Sequence, residues 1–98
     1  MTAILTKDLD ASIDAELRDA FRALVRNVRE ATDGEPALYD AGDELVLLAA
    51  DAFRAQHNEG LRERQWRRLV RALAPVASRT GSKPLLQVVR ENGDLLSP

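Results

Sequence analysis

Four arginines stand close together in the second half of the chain. Their spacing of three, one and three residues would place them along one face of a helix over about two turns. The four are Arg64, Arg67, Arg68 and Arg71. Each guanidinium is a permanent, planar cation with several N–H donors, so such a row can hold phosphates or carboxylates through paired hydrogen bonds. The spacing therefore predicts a basic face that binds an acidic protein surface or a nucleic acid.

Catalysis would need groups that the sequence does not bring together. The chain has no cysteine and one histidine, His57, which the pattern places at a helix end where the terminal carbonyls favour a cation. The serines stand in cap or loop contexts without a nucleophile-elbow motif. The five glycines are isolated, so no phosphate-binding loop is expected. We predict a protein that is not an enzyme and has no catalytic residues and no cofactor.

Three carboxylates near the start of the second predicted helix, Asp40, Asp43 and Glu44, form a group that could bind a metal. Their oxygens suit Mg²⁺ or Ca²⁺, but their spacing matches neither a calcium-binding loop nor a two-metal centre. The helix dipole alone favours acidic residues in a first turn. The sequence therefore predicts no metal site.

The composition is that of an ordinary globular domain. The 98 residues are 45% hydrophobic and 31% charged, which is enough for one modest core, and we expect a single domain over residues 1–98. The first residues lack a basic leader, and no apolar run approaches the ~20 residues that span a bilayer. We expect a cytoplasmic protein that does not contact a membrane.

The charges divide unevenly along the chain. Residues 1–59 carry six basic and thirteen acidic side chains, whereas residues 60–98 carry eight basic and three acidic ones. The two halves can complement each other within one fold, or the basic half can meet an acidic partner. If the acidic half of one copy meets the basic helix of another, the chain forms a homo-oligomer, most simply a dimer.

Apolar periodicity predicts three helices. The first is expected over residues 11–31, capped by Asp10 or Ser12. The second is expected to start after Asp40 and to reach residue 56 or 57. The third is expected from 61 to 74 or onward to 79, with an end or a kink at Pro75 because proline lacks an amide proton.

Leu47 stands apart from the wide apolar face of the second helix. It falls among acidic residues on the polar side, where a single leucine is either an ordinary exposed residue or part of a contact surface. We therefore treat Leu47 as a candidate interface residue.

The segment from 83 to 97 has two interpretations. Asn92-Gly93 between two apolar runs is typical of a two-residue hairpin turn. In the rival interpretation, Ser82 caps a short fourth helix that Gly93 ends. We predict a mainly α protein, a compact three-helix bundle with a small C-terminal β-hairpin, and keep the short fourth helix as the alternative.

Two functions fit these patterns. The first is a non-enzymatic protein–protein interaction or regulatory module that associates with itself or with another protein through the four arginines and Leu47. The alternative is a nucleic-acid-binding regulator that uses the basic face of the third helix. The predicted order of helix, helix, basic helix and hairpin resembles that of winged-helix DNA-binding domains, whose third helix enters the major groove.

Overall fold

The structure, a computed structural model, describes residues 13–96, most of which are helical. Its four α-helices, in chain order, are α1 (Ala15–Thr32), α2 (Tyr39–Arg54), α3 (Glu59–Thr80) and α4 (Lys83–Glu91). A 3-10 turn at Pro36–Leu38 leads into α2, and another at Gly93–Leu96 follows α4. No strand occurs between residues 13 and 96, so the prediction of a mainly α protein is confirmed.

The core lies where α2 packs between α1 and α3. Phe21 of α1 is fully buried and meets Phe53 of α2 edge to face, with ring centroids 5.8 Å apart. Phe53 meets Trp66 of α3 in the same manner at 5.3 Å. Each such aromatic pair adds about 0.5–1.5 kcal/mol beyond its buried area. These contacts connect three helices through one row of rings.

The helix ends differ in detail from the predicted ones. Asp14 is the residue that precedes α1, and its side chain makes no capping hydrogen bond. The caps predicted for this helix, Asp10 and Ser12, lie outside the described residues. α2 begins at Tyr39, directly after the 3-10 turn, and is buried around most of its circumference, as its wide apolar face indicates.

α3 does not end at Pro75 but continues to Thr80, so the longer predicted span holds. Because Pro75 has no N–H, the carbonyl group four residues before it has no hydrogen-bond donor within the helix. Pro75 is exposed, so this carbonyl lies on the side of the helix that water can reach. The next two residues, Val76 and Ala77, are buried in the core and hold the helix beyond the proline. Gly81, with a φ of 68°, then ends α3 in the left-handed conformation that favours glycine.

The predicted C-terminal hairpin is wrong, and the alternative of a fourth helix is the one the structure shows. The Ser82 hydroxyl accepts a hydrogen bond from the amide of Leu85, which caps α4. Leu85 is completely buried, and α4 packs against α3 and α1. At the other end, the Asn92 side chain donates to the Val88 carbonyl at 2.8 Å. The Asn92-Gly93 pair therefore follows a helix that tertiary packing stabilises, instead of forming a hairpin turn.

Candidate interaction surface

The solvent-facing side of α3 carries three of the four predicted arginines in a row. Arg64, Arg68 and Arg71 are all exposed and are spaced by four and three residues. Within residues 13–96, none of these three guanidinium groups forms an ion pair or a hydrogen bond. Arg67 differs because it is half-buried at the edge of this side and donates to Oε1 of Glu63 at 3.1 Å. Three of the predicted site residues therefore remain available to a partner.

Leu61 extends the row of arginines by one turn. It is 38% exposed and stands three residues before Arg64 and seven before Arg68, on the same side of α3. The sequence places Leu61 at the start of the third predicted helix, and its spacing from the arginines is a signal that it lies on their side of the helix. We call the side formed by these residues the basic stripe: Leu61, Arg64, Arg68 and Arg71.

The solvent-facing side of α2 carries Leu47 with carboxylates on either side. Leu47 is 43% exposed on a helix that is otherwise largely buried. Three carboxylates share its side of the helix. Asp40 lies seven residues before Leu47, Glu44 three residues before it and Asp51 four residues after it. Asp51 accepts a hydrogen bond from Nη2 of Arg54 at 2.8 Å. We call this side of α2 the acidic stripe: Asp40, Glu44, Leu47 and Asp51.

Asp40 and Glu44 are exposed, and neither forms an ion pair in the part of the chain that the structure describes. Asp43, which the sequence groups with them, instead accepts from Nη1 of Arg29 at 2.6 Å across the α1–α2 contact. The three carboxylates considered for a metal therefore do not form a metal-binding group within residues 13–96. Two of them are left as unpaired charges on the acidic stripe.

A groove of about 320 Å³ joins the two stripes. Asp51, Arg54 and Ala55 line it from α2, and Leu61 and Gln65 line it from α3. Because Asp51 belongs to the acidic stripe and Leu61 to the basic stripe, the two stripes belong to one continuous surface. This juxtaposition depends on how α2 packs against α3, so helical spacing alone could not predict it.

His57 lies just after α2 and forms a hydrogen bond through Nε2 with the Asp14 carboxylate at the start of α1. The Glu16 carboxylate is close by, and one ligand atom from each of the three residues lies within 4.8 Å of the others. All three side chains are exposed. The hydrogen bond between His57 and Asp14 explains why these side chains lie close together, and it links the beginning of α1 to the residues just after α2.

Within residues 13–96, few ion pairs connect the acidic half of the sequence to the basic half. The pair between Glu35 and Arg79, at 3.6 Å, joins residues 1–59 to residues 60–98. The other ion pairs that the structure shows within residues 13–96 stay inside one half. Within residues 13–96, the ion pairs that the structure shows therefore offset little of the difference in charge between the two halves.

Comparison of the chain with protein-family models, with curated proteins and with solved structures gives no match. The fold places the chain in the class of small, mainly α proteins, and residues 13–96 contain four α-helices. Among the described residues, no helix combines the length and apolar character needed to cross a membrane.

Proposed function

We propose that this chain is a non-enzymatic interaction module that pairs with a second copy of itself through the α2–α3 surface. The observation that carries the proposal is the adjoining pair of stripes, which have opposite charge and one exposed leucine each. A surface that contains both halves of a complementary pair can bind an identical surface related by a two-fold axis.

The two-fold arrangement brings the acidic stripe of each copy against the basic stripe of the other. Asp40 and Glu44 of each copy then face the unpaired arginines of the other copy, so this contact between opposite charges occurs twice in one interface. Like charges are kept apart. Complementary charge of this kind sets register, accelerates encounter and, at low salt, adds to the affinity of the two copies for each other. Burial of Leu47 and Leu61 contributes the rest of the affinity, at roughly 25 cal/mol for each Å² of apolar surface removed from water.

The ion pairs within one copy favour contact between two copies, because in the part of the chain that the structure describes they leave most of the basic stripe without a carboxylate partner. Glu35 and Arg79 form an ion pair between the two halves of the sequence, whereas Arg64, Arg68 and Arg71 form no ion pair within the described residues. A second copy can supply carboxylates that pair with these arginines.

The same three free arginines favour a second candidate function, binding of a nucleic acid backbone. They span about 10 Å along the axis of α3 and present donors suited to phosphate oxygens. The adjoining acidic stripe opposes this function because its carboxylates repel phosphates. In addition, residues 13–96 contain no hairpin to act as the wing of a winged-helix domain. Nucleic acid binding therefore ranks second.

Light scattering of the purified protein at low and moderate salt tests the proposal. The wild-type chain is expected to have the mass of a dimer at low salt and to dissociate as salt screens the stripes. The double substitution Arg64→Gln and Arg68→Gln is expected to give a monomer at the same protein concentration, because it removes four cations from the two-fold interface.

Arg26→Gln combined with Arg90→Gln is the matched control, since both residues are exposed and lie outside the stripes. This control removes the same charge and is expected to leave the dimer intact. A wild-type monomer at every concentration would contradict the proposal. If a mixed-sequence DNA duplex raises the mass and the Arg64/Arg68 variant loses that effect, the second candidate function is the correct one.

A further inference from the structure

A larger groove, of about 670 Å³, lies beside Trp66. Gln56 in the α2–α3 connection, the first two turns of α3, and Asn92 with the 3-10 turn at Gly93–Leu96 form its walls. Its volume is within the range of roughly 300–1,000 Å³ that is typical of small-molecule sites. None of its lining residues belongs to the acidic stripe or the basic stripe.

The lining of this groove is rich in carboxylates. Glu59 and Glu63 approach from α3 and Asp94 from the C-terminal 3-10 turn, whereas Arg62 is the one cation among the lining residues. Glu59 and Asp94 form no ion pair within residues 13–96. Glu63 is paired with Arg67, which does not line the groove. The groove therefore has three carboxylates against one arginine, and its unpaired groups still carry more negative than positive charge.

Trp66 gives the groove an aromatic surface in a defined position. Its ring is half-buried and rests edge to face against the buried Phe53 ring, at 5.3 Å between centroids. The face of an indole ring attracts a cation more strongly than any other side-chain ring does. An indole ring that shares a groove with several carboxylates is an arrangement that can recognise organic cations.

We infer that the Trp66 groove binds a primary ammonium or guanidinium group. The cation lies against the Trp66 ring, and its N–H donors reach the carboxylates of Glu59 and Asp94. A neutral group of the same shape lacks both the attraction to the ring and the charged hydrogen bonds, so the groove discriminates by charge. This inference does not depend on self-association.

Fluorescence reports directly on this groove because Trp66 is the only tryptophan in the chain. The protein is titrated with spermidine, with N-acetylarginine amide, and with N-acetylcitrulline amide as the neutral analogue of the latter. A saturable change in Trp66 emission is expected with at least one of the two cations and not with the citrulline compound. Tighter binding of spermidine indicates a free polyamine as the ligand, and tighter binding of the arginine amide indicates a peptide side chain.

Asp94→Asn is expected to weaken binding of the cation by roughly tenfold, the effect of losing one charge-assisted hydrogen bond. Asp19→Asn is the control, because Asp19 is exposed on α1 and lies outside the groove. Both substitutions replace exposed residues and leave the core untouched. The inference is overturned if neither cation produces a saturable change, if the citrulline compound binds equally well, or if the two variants behave alike.

Discussion

Leu85→Ala is expected to lower the free energy of unfolding by about 3 kcal/mol. Leu85 is completely buried where α4 meets the rest of the core, and its truncation leaves a cavity that surrounding side chains fill only in part. The loss is large relative to the 5–15 kcal/mol by which small domains are stable. Urea unfolding followed by circular dichroism and by Trp66 fluorescence measures it.

Gln87→Ala provides the control for this prediction, because Gln87 is exposed on the same helix. Its substitution is expected to change the free energy of unfolding by no more than about 0.5 kcal/mol. In a β-strand, residues 85 and 87 would share one face, whereas in α4 they point in nearly opposite directions. Similar effects of the two substitutions, or a loss below about 1 kcal/mol for Leu85→Ala, would therefore contradict the docked fourth helix.

Leu47→Asp is expected to weaken self-association by roughly a hundredfold. The substitution removes apolar area from the middle of the acidic stripe and introduces a buried carboxylate, a combined loss of about 3 kcal/mol for an interface centre. Because Leu47 is exposed, the fold and the stability of the monomer should be unchanged. Sedimentation velocity over a concentration series gives the dissociation constant, and circular dichroism checks the fold.

Tyr39→Asp is the matched control for Leu47→Asp. Tyr39 is also exposed on α2, but it lies beside Arg29 and Asp43 and outside the acidic stripe. A carboxylate at the first residue of a helix is favoured by the helix dipole, so the change is tolerated. If both variants associate to the same extent as the wild-type chain, Leu47 is an ordinary exposed leucine and the interface lies elsewhere.

The sequence predicts features of this protein that depend on local spacing. The three core helices are predictable because their apolar residues recur at helical intervals. The common face of Arg64, Arg68 and Arg71 follows from the same geometry. The sequence also indicates that Arg67 is paired, unlike the other three arginines, because Glu63 stands four residues before it at the spacing of a helical ion pair.

Features that depend on packing between distant residues were not predictable. Asn92-Gly93 is a strong local signal for a hairpin, yet burial of Leu85 against α3 and α1 favours a helix in this segment. The approach of Asp51 to Leu61 across the groove depends on the packing of α2 against α3. The hydrogen bond between His57 and Asp14 joins residues 43 positions apart. No spacing rule relates such pairs.

The most direct test of self-association mixes two variants with reversed charges. One variant carries Arg64→Glu and Arg68→Glu, and the other carries Asp40→Lys and Glu44→Lys. Each variant alone presents like charges across the two-fold interface, so each is expected to be a monomer at low salt by light scattering. Mixed in equal amounts, they restore opposite charges at both contacts, and we expect the mass of a heterodimer. Variants that stay monomeric when mixed, or that dimerise alone as well as the wild-type chain, would contradict pairing through the two stripes.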